Sequence, residues 1–231
     1  MKTKLKRLTG ILILAMGGLA TVNASSAVLV DTTGNPQNTG FSSLTLNNDD
    51  WGAGMFSTGS SCGSLGCNLG IVTLRMSTSL PGSNLTTALT DYSNFELSIY
   101  SDNGGTSVGG TALTNQGDIH NPVGPIVNSA PGQLYEFAPT KNILLQDNTS
   151  YWVRLFGNAS GSVLPTWDVV TSVSSSAPME FSLGGLLGYP PFSLSMRVEA
   201  SAISAVPLPG AVWLMGSALV GFVGWGRRLR V

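Results

Sequence analysis

Between residues 25 and 205 the chain carries only four basic side chains, Arg75, Lys141, Arg154 and Arg197, against all twelve of its acids. The other seven Lys and Arg sit at the ends, four within the first seven residues and three within the last five. The whole-chain charge of −1 therefore hides a body of about −8. Such a body repels phosphate backbones, which argues against nucleic acid as a partner. Histidine is almost missing too, since His120 is the only one. A Ser-His-Asp arrangement would have to use it, in a loop-like setting over 117–125, and no nucleophile-elbow pattern surrounds a serine. Tetrahedral zinc would need more ligands than Cys62, Cys67 and one histidine supply. No pair of acids stands out among aromatic subsites as a glycosidase would require. The expectation is a protein that is not an enzyme.

Cysteine is scarce, and its spacing is informative. Cys62 and Cys67 enclose Gly-Ser-Leu-Gly. In an exported chain the pair is expected to form a disulfide. So short a loop gains only about 2 kcal/mol by the chain-entropy argument, so the bridge would staple a loop tip rather than hold the fold.

Export is indicated by the chain's ends. Lys2, Lys4, Lys6 and Arg7 precede an apolar stretch over 8–20, and Val22-Asn23-Ala24 offers small residues for cleavage. Residues 1–24 are thus expected to be a signal peptide. At the other end Val206-Pro207-Leu208-Pro209 leads into an apolar run over 211–226, closed by Arg227, Arg228 and Arg230. As a helix that run would reach about 24 Å against a hydrocarbon core of about 30 Å, short for a permanent span. Leu208 and snorkelling arginines would make up part of the gap, with Trp213 and Trp225 near the two interfaces. The arginines would stay cytoplasmic, leaving Pro207-Leu208-Pro209 at the outer face, where the prolines stop the helix from running back into the body. A plain membrane anchor with a chance Pro-x-Pro is the alternative. What remains, 25–205, is long enough for one domain with a sizeable core.

That body alternates with period two. Val72, Leu74 and Met76 alternate with Thr73 and Arg75; Phe95, Leu97 and Ile99 with Glu96 and Ser98; Phe192, Leu194, Met196 and Val198 with Ser193, Ser195, Arg197 and Glu199. Each reads as a strand with one face on a core and one in water. The run over 151–156 is apolar on both faces apart from Arg154, which suggests a central strand or one partly covered by a loop. Further strands are expected over 27–31, 54–57, 132–137, 143–145, 167–171 and 179–183. Turns are expected at 81–82, 101–105 and 146–149. No body segment has a helical period. Roughly nine to eleven short strands imply an all-β fold, a two-sheet β-sandwich that is jelly-roll-like.

Two resemblances follow from these residues. The order Val206-Pro207-Leu208-Pro209-Gly210-Ala211-Val212-Trp213-Leu214-Met215-Gly216-Ser217, continued to Arg227-Arg228, resembles the VPLP variant of the PEP-CTERM sorting signal. That resemblance implies recognition by exosortase, a membrane transpeptidase-like enzyme of exopolysaccharide-producing Gram-negative bacteria. Here Pro-Leu-Pro stands where the namesake motif has Pro-Glu-Pro. In the body, Trp51-Gly52-Ala53-Gly54-Met55-Phe56-Ser57-Thr58-Gly59, Val72-Thr73-Leu74-Arg75, Leu97-Ser98-Ile99-Tyr100-Ser101-Asp102-Asn103-Gly104-Gly105 and Leu145-Gln146-Asp147-Asn148-Thr149-Ser150-Tyr151-Trp152-Val153 are together similar to the choice-of-anchor R domain of bacterial surface proteins. No catalytic residue comes with that resemblance. Together they imply a protein that is exported, transiently anchored in the inner membrane, then placed at the cell surface or in the extracellular matrix. Its partners would be the exosortase and inner membrane during sorting, with exopolysaccharide a further candidate.

Two kinds of site remain. No cofactor is expected, and calcium is the only metal with a case. Asn47-Asn48-Asp49-Asp50 concentrates oxygen ligands, Asp49 and Asp50 foremost, although Asp and Asn are also ordinary turn residues. The alternative function is carbohydrate binding on a sheet face or loop. Trp51, beside two aspartates, is the candidate exposed ring, while Trp152 fits the core better.

Overall fold

Antiparallel strands make up the regular structure of the computed structural model, which describes residues 26–34, 43–47, 49–79, 88–90, 92, 95–104, 108–129, 132–157, 163–170, 178–188 and 192–203. The expected signal peptide over 1–24 and the sorting tail over 206–231 lie outside the described residues. So does the expected turn at 81–82.

The strands in chain order are β1 (Ser26–Asp31), β2 (Ser43–Thr45), β3 (Asp50–Ser57), β4 (Cys67–Ser79), β5 (Phe95–Ser101), β6 (Ile119–His120), β7 (Gln133–Pro139), β8 (Leu144–Leu145), β9 (Ser150–Gly157), β10 (Leu164–Val170), β11 (Met179–Leu183), β12 (Leu186–Gly188), β13 (Ser193–Leu194) and β14 (Met196–Ala202). No helix occurs among the described residues. Two antiparallel sheets form, as the alternating pattern predicts. One runs β12-β11-β3-β9-β5, and the other has nine strands built around β4. There are more strands than expected because β2, β6 and β12 span only two or three residues each, too few to show a period, and because the single run expected over 192–199 divides at Ser195 into β13 and β14.

The strand β4 pairs with β14 over most of one edge and with β10 beyond it, while β8 and β7 share its other edge. A register shift opposite Glu199 adds one residue to β4 around Gly70. There a side chain would be crowded, because a Cβ on Gly70 would lie 3.0 Å from the Glu199 carbonyl oxygen. The bulge lets Leu69 and Val72 both face the core, joined by Leu74 and Met76.

From the five-stranded sheet Phe56, Leu97, Ile99, Tyr151, Val153 and Leu155 meet them, and Phe137 and Trp167 fill the space between as fully buried rings. The Trp167 indole N–H donates to the Ser195 carbonyl at 2.9 Å. Gly52 and Gly54 take inward positions on β3. A Cβ on Gly52 would collide with Leu44, and one on Gly54 would come 2.9 Å from the Met196 sulfur. These glycines are places where side chains of the facing sheet press against bare backbone. They also explain why β3 starts at Asp50 rather than at the expected residue 54. Similarly β10 begins at Leu164, ahead of the expected 167, because Pro165 reads as a strand breaker. Pro165 lacks the N–H of a ladder residue, but its backbone is still bonded through its carbonyl, which accepts from the Leu46 N–H at 2.9 Å.

Cys62 and Cys67 are joined, with Cα atoms 4.7 Å apart. Gly63 and Gly66 turn the loop in left-handed conformations. Because the bridge closes so small a loop beside a core already packed with large rings, its reduction should cost about 2 kcal/mol and lower Tm by about 4–8 °C. Phe137→Ala should cost more, about 3–5 kcal/mol. Thermal denaturation of the oxidised, reduced and Phe137→Ala proteins should rank in that order; equal losses would show the staple to be as important as the core.

Candidate functional site

The face of the five-stranded sheet turned away from the core is set by register. Across β11, β3, β9 and β5 one row reads Ser182, Trp51, Phe156, Glu96, and the next reads Glu180, Ala53, Arg154, Ser98. A third holds Met55, Trp152 and Tyr100. Arg154, the single polar interruption of β9, thus lies in the middle of an aromatic group. Its guanidinium carbon is 4.8 Å from the Trp51 ring centroid, 5.4 Å from that of Tyr100 and 5.6 Å from that of Phe156. Nη1 donates to the Tyr100 hydroxyl at 3.1 Å. Each such cation–ring contact is worth about 0.5–2 kcal/mol, rising as water is excluded. Among the described residues Arg154 forms no ion pair.

The third row is covered. Trp152 is fully buried although it faces away from the core, and its indole N–H donates to Asp102 at 3.2 Å. The chain leaving β5 makes this cover. It returns along the free edge of β5, where Ser101 donates to the Thr111 carbonyl at 2.9 Å and Leu113 to that of Ile99 at 2.8 Å. Between these points the Val108 N–H reaches Glu180 on β11, on the far side of β9 and β3. A strap therefore lies over Trp152 and Glu180, while the Trp51–Phe156–Glu96 row stays partly open. The sequence offered both a central strand and a loop-covered one for 151–156, and β9 is both.

The residues singled out in the sequence are placed as follows. Trp51 is half-buried, with the Arg154 guanidinium over its ring. Trp152 and Trp167 are buried. Asp49 is exposed and left-handed, at φ 61°. Asp50 is buried, and its two oxygens accept from the Asn47 N–H at 3.1 Å and the Gly184 N–H at 2.6 Å. It ties the turn before β3 to the β11–β12 hairpin. Among the described residues no three His, Cys, Asp or Glu side chains converge on a common point. His120 is exposed and ends the short strand β6 opposite Ala138, where the sequence suggested a loop. The proline-rich motif Val206, Pro207, Leu208 and Pro209 and the arginines Arg227, Arg228 and Arg230 fall outside the described residues.

No family model matches this sequence, and it matches none of the curated proteins.

Sequence reasoning missed Tyr100, Phe156 and Glu96 as companions of Trp51. The one available signal was Arg154, a charge inside an otherwise apolar strand. Which strands flank it is a matter of tertiary pairing.

The opposite sheet carries a buried polar group of another kind. Asp168 on β10 accepts from the Gly132 N–H at 3.0 Å. Arg75 on β4 donates to the Gly132 carbonyl at 3.0 Å and to that of Thr33 at 2.8 Å. The network clamps the start of β7 and the end of β1 to the sheet. Burial pushes the Asp168 carboxyl above its ordinary range, against the opposing pull of the Gly132 N–H and the Arg75 charge. A raised acid binds its proton more tightly folded than unfolded. Its contribution to stability is therefore fully present below the unfolded value of 3.8 and fades as pH rises through the higher folded value. Asp168→Asn cannot ionise and keeps an acceptor for Gly132. Urea denaturation across pH 3 to 8 should show the variant gaining on wild type as pH rises. A constant difference would mean that Asp168 is not perturbed.

Proposed function

We propose that this chain is an exported, non-enzymatic bacterial cell-surface or exopolysaccharide-matrix protein, sorted and processed by an exosortase at its C-terminal tail. One observation carries this reading: Val206-Pro207-Leu208-Pro209, the apolar run over 211–226 and the arginines Arg227, Arg228 and Arg230 occur in that order at the end of the sequence. The apolar run is short for a lasting span, which suits a segment that is recognised and removed. The basic, then apolar, then small-residue order at the N-terminus supplies the matching export signal.

Three features of the body support the same reading. An all-β fold of Gly-, Ser- and Thr-rich strands, in our reading a jelly-roll-like sandwich, suits an extracellular module. A disulfide persists outside the reducing cytosol. A body of about −8 stays soluble and avoids anionic surfaces. In this scheme the inner membrane holds the precursor only until the tail is cut, and the mature protein joins the surface or matrix.

The intact chain should be expressed in a host with and without an exosortase, and the mature C-terminus mapped by mass spectrometry. With the enzyme, residues from about 210 onward should be lost; without it they should remain in the membrane fraction. Pro207→Ala with Pro209→Ala should keep the tail even when the enzyme is present. Surface protein still carrying Trp213 through Val231 in the exosortase host would defeat the reading.

A further inference from the structure

Five strands lie side by side beneath the half-open row of the smaller sheet, and the row can be followed across all of them. Leu187 of β12 stands opposite Ser182 of β11, which stands opposite Trp51, then Phe156, then Glu96. Leu187 is 60% exposed. Strands lie about 4.8 Å apart, so the row is about 19 Å long, the reach of about four hexose units. One side of it is walled by the strap that covers Trp152 and binds Glu180. Arg154 sits along the foot of that wall.

The chemistry of this groove alternates. Trp51 and Phe156 are direct cross-strand neighbours and offer flat apolar surface. At one end Glu96 brings a carboxylate, which its neighbour Ser98 holds in place through a 2.7 Å hydrogen bond. Arg154 brings a guanidinium that three rings keep in one orientation without any ion pair among the described residues. A sugar ring has matching parts, with C–H faces that pack on aromatic rings and hydroxyls that donate to a carboxylate or accept from a guanidinium. A wholly apolar partner would desolvate Arg154 and Glu96 further while supplying a partner to neither charge.

Charge decides which sugar. With two carboxylates, Glu96 and Glu180, beside one guanidinium, on a body of about −8, the groove disfavours a polyanion. We propose that the outer face of the β12-β11-β3-β9-β5 sheet is a binding groove for a neutral, linear glycan laid across the strands, packed on Trp51 and Phe156 and hydrogen-bonded by Arg154 and Glu96. This site does not depend on how the tail is processed.

The test uses the full chain in micelles of a detergent without a sugar headgroup. It is applied to an array of neutral linear glucans, mannans, galactans and xylans, with polyuronates and amino-sugar polymers for comparison. Neutral linear chains should be retained, and for the best of them affinity should rise with length to about four units and then level off. In calorimetric titrations Trp51→Ala and Phe156→Ala should each weaken binding by about tenfold or more, and Arg154→Gln by several-fold. Leu65→Ala, on an exposed loop outside this sheet, should leave affinity unchanged. If Trp51→Ala misfolds, wild type still decides, because bound glycan should shield the Trp51 ring from oxidation, mapped by peptide mass spectrometry. Failure to retain any neutral chain overturns the proposal. So does a preference for polyuronates, or self-association of wild type that Trp51→Ala abolishes, which would make the face an interface between copies.

Discussion

The strand β4 is the constraint on which the rest of the structure depends. Its two edges serve four partners, β14 and β10 on one side and β8 and β7 on the other. Its inward side chains, Leu69, Val72, Leu74 and Met76, form the floor of the shared core. A period-two strand can face a core along its whole length only if its register survives. Here the Gly70 bulge adds a residue so that Leu69 and Val72 both stay inward. Its length, thirteen residues, lets so many short strands join one sheet without long ladders of their own.

The two outer faces solve opposite problems. On the larger sheet, Arg75 and Asp168 meet the backbone of residues 132 and 33, so polar groups buried there serve to clamp chain segments. On the smaller sheet, Arg154 meets three rings and a hydroxyl, and Trp51 and Phe156 are left partly exposed. The same residue type thus closes one face and leaves the other available. The difference lies in what the register places next to each arginine.

Strands could be placed from the sequence at 72–76, 95–99, 151–156 and 179–183, whereas the alternating run over 192–199 divides at Ser195 between β13 and β14. Gly52, Gly54 and Pro165 misled it at element starts. Locally they discourage a strand, yet Gly52 and Gly54 admit Leu44 and Met196, and the backbone of Pro165 is still bonded through its carbonyl. Asp50 was legible as an oxygen-rich turn residue, but its partner Gly184 lies far along the chain. Trp51 was singled out for its acidic neighbours, whereas Arg154 over its ring, and the Phe156 and Tyr100 rings that Arg154 also meets, lie on other strands.

By itself the sequence determined what depends on neighbours in the chain. That covers most of the alternating strands, the turn before β9, the pairing of two cysteines five residues apart, and the ordered motifs at both ends. Tertiary structure alone decided what depends on which strands lie side by side. That covers the four partners of β4, the strap over Trp152, and the row from Leu187 to Glu96 with Arg154 against it. The physical reason is that side-chain direction follows from a residue's place in its own strand. Proximity across a sheet follows from hydrogen bonds between segments up to a hundred residues or more apart, and those carry no local signature.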